Sequence, residues 1–205
     1  MATIHVTDTV VSRPRIEGDR EQQILDATLQ VLGDMGYDRL TMDAVATRAR
    51  ASKATLYRRW NGKVSLVIDA LLSVKSTPQA PDTGSLRGDL LESFCGQGGL
   101  TDERTVATFA SVITAISRDR EFADAFRQDV IGPKTALSRS IFERARERGE
   151  IPASVDVDLL APALAGIVLH RVYVLGELPD EALITRVIDQ IILPAAMSST
   201  APSGR

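Results

Sequence analysis

The sequence contains very little cysteine and histidine. Its 205 residues include one cysteine, Cys95, and two histidines, His5 and His170. A lone thiol cannot form an internal disulfide, and these three side chains offer too few ligands for a Cys/His metal cluster. We therefore expect neither a disulfide framework nor a metal or other cofactor, and we expect Cys95 to serve as a small buried hydrophobe.

The sequence also lacks an export signal and a clear membrane span. The N-terminal stretch "MATIHVTDTVVSRPRIEG" has no charged start followed by an unbroken apolar run, which a secretory signal would have. The longest apolar run, "LLAPALAGIVLHRVYVLG", contains His170 and Arg171, and without them it is shorter than the roughly 20 residues that span a bilayer. We expect a cytoplasmic protein without a membrane partner.

The balance of charge is uneven along the chain. The net charge is -3, with 44% hydrophobic and 25% charged residues, a composition typical of a folded soluble protein. Residues 39 to 63 carry a net charge of +6, which leaves -9 for the remainder. The acidic residue of this segment is Asp43, and its basic residues are Arg39, Arg48, Arg50, Lys53, Arg58, Arg59 and Lys63. The asymmetry predicts a local site for a polyanion.

Apolar residues recur at helical spacing in the first third of the chain. Steps of three or four residues from Ile24 to Met35 predict an amphipathic helix that Gly36 should end. Thr41 and Ser52 are good N-caps for two short helices joined by a tight turn. The three helices together predict a helix-turn-helix unit, followed by a fourth helix that starts at position 61 or 62.

The stretch "STPQAPDTGS" is rich in Pro, Ser, Thr and Gly and indicates a domain boundary. We expect a disordered arm at 1–18, the helix-turn-helix domain at 19–76, a helical regulatory domain at 84–198 and a disordered tail at 199–205. Within the regulatory domain the spacing predicts helices over about 85–95, 102–118, 119–148, 156–176 and 180–196. Gly132-Pro133 predicts a kink or break at Ile131 to Pro133, because proline removes a helical hydrogen bond. The expected fold is all-α, with about nine helices.

The segment "SKATLYRRW" carries the function. On a helix, Leu56 and Trp60 share a face that should turn inward. The outward face and its flanks then hold Lys53, Ala54, Thr55, Tyr57, Arg58 and Arg59. An Arg can bond guanine O6 and N7, Thr and Ala can meet a thymine methyl, and Tyr, Lys and Ser52 can bond phosphates. This helix therefore predicts recognition of double-stranded DNA.

The stretch "ILDATLQVLGDMGYDRLTMDAVATRARASKATLYRRWNGKVSLVIDALL" resembles the DNA-binding domain of the tetracycline-repressor (TetR) family of bacterial transcriptional regulators. By that resemblance, Thr41 would hold a phosphate, and Tyr57 and Lys63 would grip the DNA backbone. Lys53, Ala54, Thr55 and Arg58 would approach bases, with Arg59 a less certain flank. The sequence departs from the family's commonest pattern at Trp60, where Phe is usual, and at Gly62, where a capping Ser or Asn is usual.

The resemblance also implies a regulatory domain with a cavity for a small hydrophobic effector and a dimer interface on the last two helices. The rows Leu183, Val187, Ile191 and Ile184, Ile188, Ile192 are adjacent on one helix, too wide a stripe for a lone surface helix. With Ala165 on the helix before, we expect a homodimer interface there, and internal core is the alternative for each row. The residues expected to line the cavity are Phe94, Phe109, Phe126, Phe142 and His170, although core aromatics are commoner than ligand contacts.

The leading interpretation is a homodimeric repressor that leaves a near-palindromic operator when an effector binds. One alternative is a DNA-binding protein without an effector, which operator retardation with and without cellular small molecules would distinguish. Another is an enzyme with an incidental basic patch. Against an enzyme, the chain has no G-x-S-x-G motif, no paired cysteines and no strand pattern to hold a nucleophile. A Tyr57→Ala variant that loses DNA binding but keeps a chemical activity would favour the enzyme.

Overall fold

The computed structural model describes residues 14–74, 80–95 and 103–198. The expectations for residues 1–13 and for the tail at 199–205 lie outside these described residues. Within them the helices are α1 Pro14–Arg39, α2 Met42–Arg48, α3 Lys53–Arg59, α4 Lys63–Ser73, α5 Leu86–Cys95, α6 Glu103–Arg118, α7 Arg120–Ala125, α8 Gly132–Glu147, α9 Val157–Leu160, α10 Ala163–His170, α11 Glu181–Val187 and α12 Leu193–Met197. No strand occurs in this part of the chain, so the predicted all-α class is confirmed.

Three π-helical turns lengthen the helical runs, and two of them join successive helices. They are Phe126–Ile131 between α7 and α8, Arg171–Leu175 after α10, and Ile188–Ile192 between α11 and α12. The first lies directly before Gly132-Pro133, where a kink or break was predicted. The N–H of Gly132 donates to the carbonyl of Arg127, five residues back, so the widened turn carries the chain through this site without interrupting the helix.

α1 differs from its predicted bounds at both ends. It begins at Pro14, so residues 14 to 18, which were expected to belong to a disordered arm, are helical. Proline suits this position because the first turn of a helix needs no N–H donor from it. At the other end, Gly36 has φ 79° and ψ 164°, so the regular helix stops at this residue as predicted, and a last turn beyond the kink carries α1 to Arg39.

The apolar core has two parts. The first part contains α1, α2, α3 and α4 together with α6, α7 and the π-helical turn after α7. The residues that α6, α7 and this turn contribute are Val112, Ala115, Phe122, Phe126 and Val130. The second part is built by α5 and α8 to α12. The middle helices α6 and α7 therefore share most of their core with the helix-turn-helix unit, while Val106 near the start of α6 packs against the second part.

A buried carboxylate fixes the start of α5. Asp89 is fully buried and accepts hydrogen bonds from the Thr83 N–H at 2.6 Å and the Thr83 hydroxyl at 2.8 Å. Arg148, at the end of α8, lies 3.1 Å from its other oxygen, and Arg144 lies 3.9 Å away. Burial alone would raise the pKa of Asp89, but the Thr83 hydrogen bonds and the Arg148 charge outweigh burial and lower that pKa below its usual range.

One helical run in the described residues, Val157–Leu175, is long and apolar enough to cross a bilayer by length and composition, and 28% of it is buried in the monomer. It contains His170 and Arg171, and Arg171 is paired with Glu177. Its apolar surface is therefore largely exposed in the monomer.

Candidate nucleic-acid interface and cavity

The turn between α2 and α3 is closed by side-chain and backbone caps. Thr41 accepts a hydrogen bond from the Ala44 N–H, and Ser52 accepts one from the Thr55 N–H, each at 3.1 Å. α2 ends with the Ala51 N–H bonded to the Ala46 carbonyl at 2.8 Å, the Schellman arrangement. These bonds account for two helices joined by so few residues.

Arg50 occupies the position in this turn that glycine usually takes. Its φ is 51°, and among the described residues it is the one non-glycine residue with a positive φ. Its carbonyl accepts a hydrogen bond from Arg20 of α1 at 2.5 Å. The turn is therefore tied to α1 and held in a strained conformation.

α3 turns the predicted face inward. Leu56 is fully buried and Trp60 is 2% exposed. Lys53, Ala54, Tyr57, Arg58 and Arg59 are exposed, together with Ser52. Thr55 is only half-buried, not fully outward as expected, and its hydroxyl lies 2.8 Å from that of Ser52. The structure thus brings a small apolar group, a phenol and several cations to one exposed surface.

Two of the cations of this surface already have anionic partners. The Lys53 Nζ lies 2.5 Å from Asp43 Oδ2, and the Arg59 Nη2 lies 3.1 Å from Glu21 Oε1. Hydrogen bonds to these carboxylates raise the pKa of Lys53 and that of Arg59. Arg58 makes no ion pair or hydrogen bond to any described residue.

Lys63 lies at the start of α4 and is half-buried. Its Nζ donates to the Tyr37 carbonyl at 3.2 Å and lies 3.9 Å from the centroid of the Tyr37 ring. The contact is a cation–π interaction as well as a hydrogen bond. A phosphate that contacted Lys63 would compete with these interactions.

Sequence reasoning missed the role of Tyr37. Its hydroxyl donates to Asp119 Oδ2 at 2.8 Å, and its ring lies 4.5 Å from that of Phe122. Asp119 also caps α7 by accepting the Phe122 N–H, and these two hydrogen bonds, the backbone one first, lower the pKa of Asp119. The partners Tyr37 and Asp119 are 82 residues apart, so no local pattern could have paired them.

Trp60 makes a second unforeseen link. Its indole N–H donates to Asp69 Oδ2 of α4 at 2.8 Å. The unusual Trp60 therefore does more than fill the space that a phenylalanine would occupy. It hydrogen-bonds the end of α3 to the middle of α4, so that movement of α4 would carry α3 with it.

A cavity of about 850 Å³ lies between the two parts of the core. Phe109 and Phe126, which pack together with centroids 6.4 Å apart, line it from the first part, and Phe94 lines it from the second. Further lining residues that the sequence did not single out include Leu29, Leu71, Thr108, Leu137, Ser138, Leu169 and Ile184. The cavity is thus walled by α1 and α4 as well as by regulatory helices.

Two residues expected at the cavity lie elsewhere. Phe142 is 1% exposed and belongs to the C-terminal core, and His170 is exposed on the surface of α10. Phe142 lies in that core because α8 packs against α5. Cys95 does line the cavity, half-buried, and burial and then the charge of Glu181 raise the pKa of its thiol.

Most of the apolar stripe on α11 is internal core, which corrects the expected interface. Leu183, Ile184, Val187 and Ile188 are buried within the monomer because α11 packs against α5 and α10. Ile192 is buried with them. Ile191 and Ala165 alone of the expected interface residues are exposed. The alternative of internal core, left open by the sequence, describes both rows apart from Ile191.

Exposed apolar side chains nevertheless concentrate on the C-terminal helices. Of the eleven exposed large apolar residues in the described part, six follow residue 158. We name these six the C-terminal apolar surface: Leu159, Val174, Leu175, Leu178, Ile191 and Met197. Such a concentration is typical of a surface that is covered by a partner.

The capped α2–α3 turn, the exposed basic helix and the all-helical domain behind them define a helix-turn-helix DNA-binding regulator. The model "Bacterial regulatory proteins, tetR family" matches residues 24–70. The model "Tetracyclin repressor-like, C-terminal domain" matches residues 80–191, more than half of the chain. The chain belongs to the TetR family of transcriptional regulators.

Relatives named as regulators match over nearly the whole chain. An uncharacterised HTH-type transcriptional regulator of Mycobacterium tuberculosis is 36% identical over 185 residues, which cover 88% of this chain and 90% of the relative. The DNA-binding transcriptional repressor TetR of Mycobacteroides abscessus is 34% identical, covering 85% of this chain and 92% of that protein.

Solved structures share the fold. The TetR family transcription regulator SCO0332 superposes with a TM-score of 0.60 at 29% identity, covering 86% of this chain and 98% of its own. GusR of Salmonella enterica superposes with a TM-score of 0.68 at 18% identity, covering 92% and 99% of the two chains. The second likeness, at this identity, concerns the fold alone.

Proposed function

We propose that the protein is a cytoplasmic, homodimeric transcriptional repressor that leaves a near-palindromic operator when a small, largely apolar molecule occupies the cavity. The direction of control follows the relative that is named a repressor. The cavity carries the proposal, since its walls come from the DNA-binding helices α1 and α4 and from the regulatory helices α5, α6, α8, α10 and α11.

The DNA contacts are proposed on the exposed surface of the helix-turn-helix unit. Arg58 reads a base, because it is exposed on α3 and free of partners among the described residues. Lys53, Ala54, Thr55 and Arg59 lie beside it. The phosphate contacts are Thr41, Ser52, Tyr57 and Lys63, the last after it leaves Tyr37.

The effector would act by changing the distance between the two parts of the core. Filling the cavity pushes α4 and α1 relative to α5 and α8, and α4 is hydrogen-bonded to the end of α3 through Trp60 and Asp69. Two recognition helices must enter grooves about 34 Å apart, so a shift of a few ångströms removes one of them. By linkage, operator DNA then weakens effector binding by the same factor as the effector weakens operator binding.

The dimer is proposed on the C-terminal apolar surface rather than on the buried rows of α11. Exposed Ala165 and Gly166 leave room for a second helix to approach α10 closely. Two copies joined there would place their helix-turn-helix units on the same side of the dimer, as a two-fold symmetric operator requires.

The experiment begins with selection of an operator from genomic DNA fragments by the full-length protein. Operator binding is then measured with and without an organic extract of cells. We expect the extract to release the protein, and we expect Ser138→Trp, which fills the cavity, to abolish this response while operator binding persists. Ala136→Trp, on the same helix but outside the cavity lining, is the matched control and should respond normally.

The alternative of a DNA-binding protein without an effector predicts a different result. The extract, or a chemical library used in its place, would leave operator affinity unchanged in the wild type, in Ser138→Trp and in Ala136→Trp. Tighter operator binding with the extract would make the small molecule a co-repressor and would contradict the release mechanism. An enzyme would instead retain a chemical activity in Tyr57→Ala after DNA binding is lost.

A further inference from the structure

The acidic side chains beside α3 form a pattern that DNA binding alone does not explain. Asp43 of α2 holds Lys53 at 2.5 Å, and Glu21 of α1 accepts from the Nε and Nη2 of Arg59 at 3.3 and 3.1 Å. In sequence, Arg58 lies between these two cations and has no carboxylate partner in the described part of the chain. On the exposed face of α3, Lys53 and Arg59 are therefore each paired with a carboxylate of the same chain, and Arg58 is not.

Stability is not a sufficient reason for these pairs. The side chains of Lys53 and Asp43 are 60% and 59% exposed, and those of Arg59 and Glu21 are 59% and 38% exposed. Ion pairs this open to solvent contribute little to the free energy of unfolding. A protein that gained only affinity for a polyanion would carry neither acid at this surface.

The pairs do change the thermodynamics of phosphate binding. A free Lys or Arg that meets a phosphate releases about 0.9 condensed cation from the DNA, and this release drives sequence-independent binding. A cation that must first leave a carboxylate leaves an uncompensated anion, which recruits a cation from solution. The net release is then close to zero, and the contact adds little affinity.

We propose that Glu21 and Asp43 are internal counterions of the recognition helix that lower its affinity for the DNA phosphate backbone and leave Arg58 as its free cation. The proposal rests on the DNA-binding function. Because a genome offers about 10⁶ to 10⁹ competing sites, weakening the sequence-independent term increases the fraction of protein free to find its operator.

The test uses a fluorescent duplex of random sequence, so it needs neither the operator nor the effector. Affinity is measured as a function of salt for the wild type, Glu21→Gln and Asp43→Asn. We expect each variant to steepen the log-log salt dependence by about 0.9. If the proteins converge at 1 M salt, each variant binds about eightfold more tightly at 0.1 M.

Asp189→Asn is the matched control, since it removes the same charge from an exposed ion pair with Arg87 among the C-terminal helices. Its salt dependence should equal that of the wild type. Equal slopes for Glu21→Gln, Asp43→Asn and this control would overturn the proposal. A wild type that binds no duplex at low salt would instead contradict DNA binding itself, and the proposal with it.

A second comparison separates internal pairing from simple repulsion between a carboxylate and phosphates. Asp43→Asn is repeated in the Lys53→Gln background, and Glu21→Gln in the Arg59→Gln background. With the cation absent, we expect removal of the acid to leave the slope unchanged. A slope that steepens just as much without the cation would show that the acids act by repulsion and would refute the counterion role.

Discussion

Arg50 adopts a backbone conformation that suits glycine better. Its φ of 51° places its Cβ close to its own carbonyl, at a cost of roughly 1 to 2 kcal/mol for a residue other than glycine. The turn keeps this conformation because backbone hydrogen bonds hold it, including the one from the Ala51 N–H to the Ala46 carbonyl. The strain is thus local and can be removed without changing the turn.

Arg50→Gly should therefore stabilise the protein. We expect the free energy of unfolding to rise by about 1 kcal/mol, because relief of the strained φ exceeds the entropy that glycine loses on folding. Chemical denaturation measures the change. Arg50→Ala is the control, since it removes the same guanidinium but keeps the Cβ, and an equal gain there would assign the effect to charge.

Arg58→Ala tests the base contact. We expect a loss of roughly 1 to 3 kcal/mol in operator affinity and a much smaller loss on random duplex, because a bidentate contact to a base is specific for sequence. Arg120→Ala, at an exposed arginine of α7, should change neither affinity. If Arg58→Ala lowers both affinities equally, Arg58 contacts a phosphate.

At the scale of elements, the end of α1 is joined to the start of α7 by Tyr37 and Asp119. Tyr37→Phe keeps the ring that packs on Phe122 and under Lys63 but removes one partly buried hydrogen bond. We expect the free energy of unfolding to fall by about 1 kcal/mol.

Tyr173→Phe, which removes the hydroxyl bonded to the Val106 carbonyl, should cost a similar amount and is the matched control. Because the Tyr37 hydroxyl links α1 to α7 and the Tyr173 hydroxyl does not, operator release by the extract should weaken in Tyr37→Phe and not in Tyr173→Phe. Equal release in the two variants would exclude Tyr37 from the coupling.

The buried Asp89 makes the attachment of α5 to α8 sensitive to acid. Its pKa is lower in the folded protein than in the unfolded chain, so it contributes stability that is present above about pH 4 and lost as the pH falls through the folded pKa. Wild-type unfolding free energy should therefore decline below about pH 4.

Asp89→Asn should lack this part of the decline. At neutral pH we expect it to be about 3 kcal/mol less stable, because Arg144 and Arg148 lose a buried partner. Asp189→Asn, in an exposed pair, should leave the free energy of unfolding nearly unchanged. Urea denaturation at several pH values measures the free energy of unfolding of both variants. If that free energy falls with pH in Asp89→Asn as it does in the wild type, Asp89 is not the source of the acid sensitivity.

The helices were predictable because their signals are local. Apolar spacing placed the helical runs to within a few residues, and caps such as Thr41 and Ser52 marked two helix starts. The exposed face of α3 followed from Leu56 and Trp60 on its opposite side, except that Thr55 is half-buried. The pairs Tyr37–Asp119 and Trp60–Asp69 were not predictable, because they depend on how separate helices pack. An apolar stripe such as that of α11 does not reveal whether it packs against its own chain or against a second copy.

At the scale of the whole molecule, Val174→Asp and Ile188→Asp should behave differently. Val174 is 68% exposed in the monomer, so a charge there should dissociate the dimer and leave a folded monomer. Ile188 is fully buried, so the same change there should unfold the chain.

Sedimentation and circular dichroism separate these outcomes. Ile113→Asp, at an exposed apolar residue of α6 outside the C-terminal apolar surface, is the control and should remain dimeric. A Val174→Asp protein that stays dimeric would place the interface elsewhere.

The shared core of α1 to α4 with α6 and α7 limits how this regulator can be rebuilt. A fragment that stops at residue 74 would lose α6, α7 and the π-helical turn that pack against α1 and α4. Its exposed apolar faces would make it aggregate or remain molten. Chimeras that join these DNA-binding helices to another sensor should therefore keep α6 and α7 with them. Because α5 precedes α6 in sequence but packs in the second part of the core, a single junction at the linker would cut through both parts.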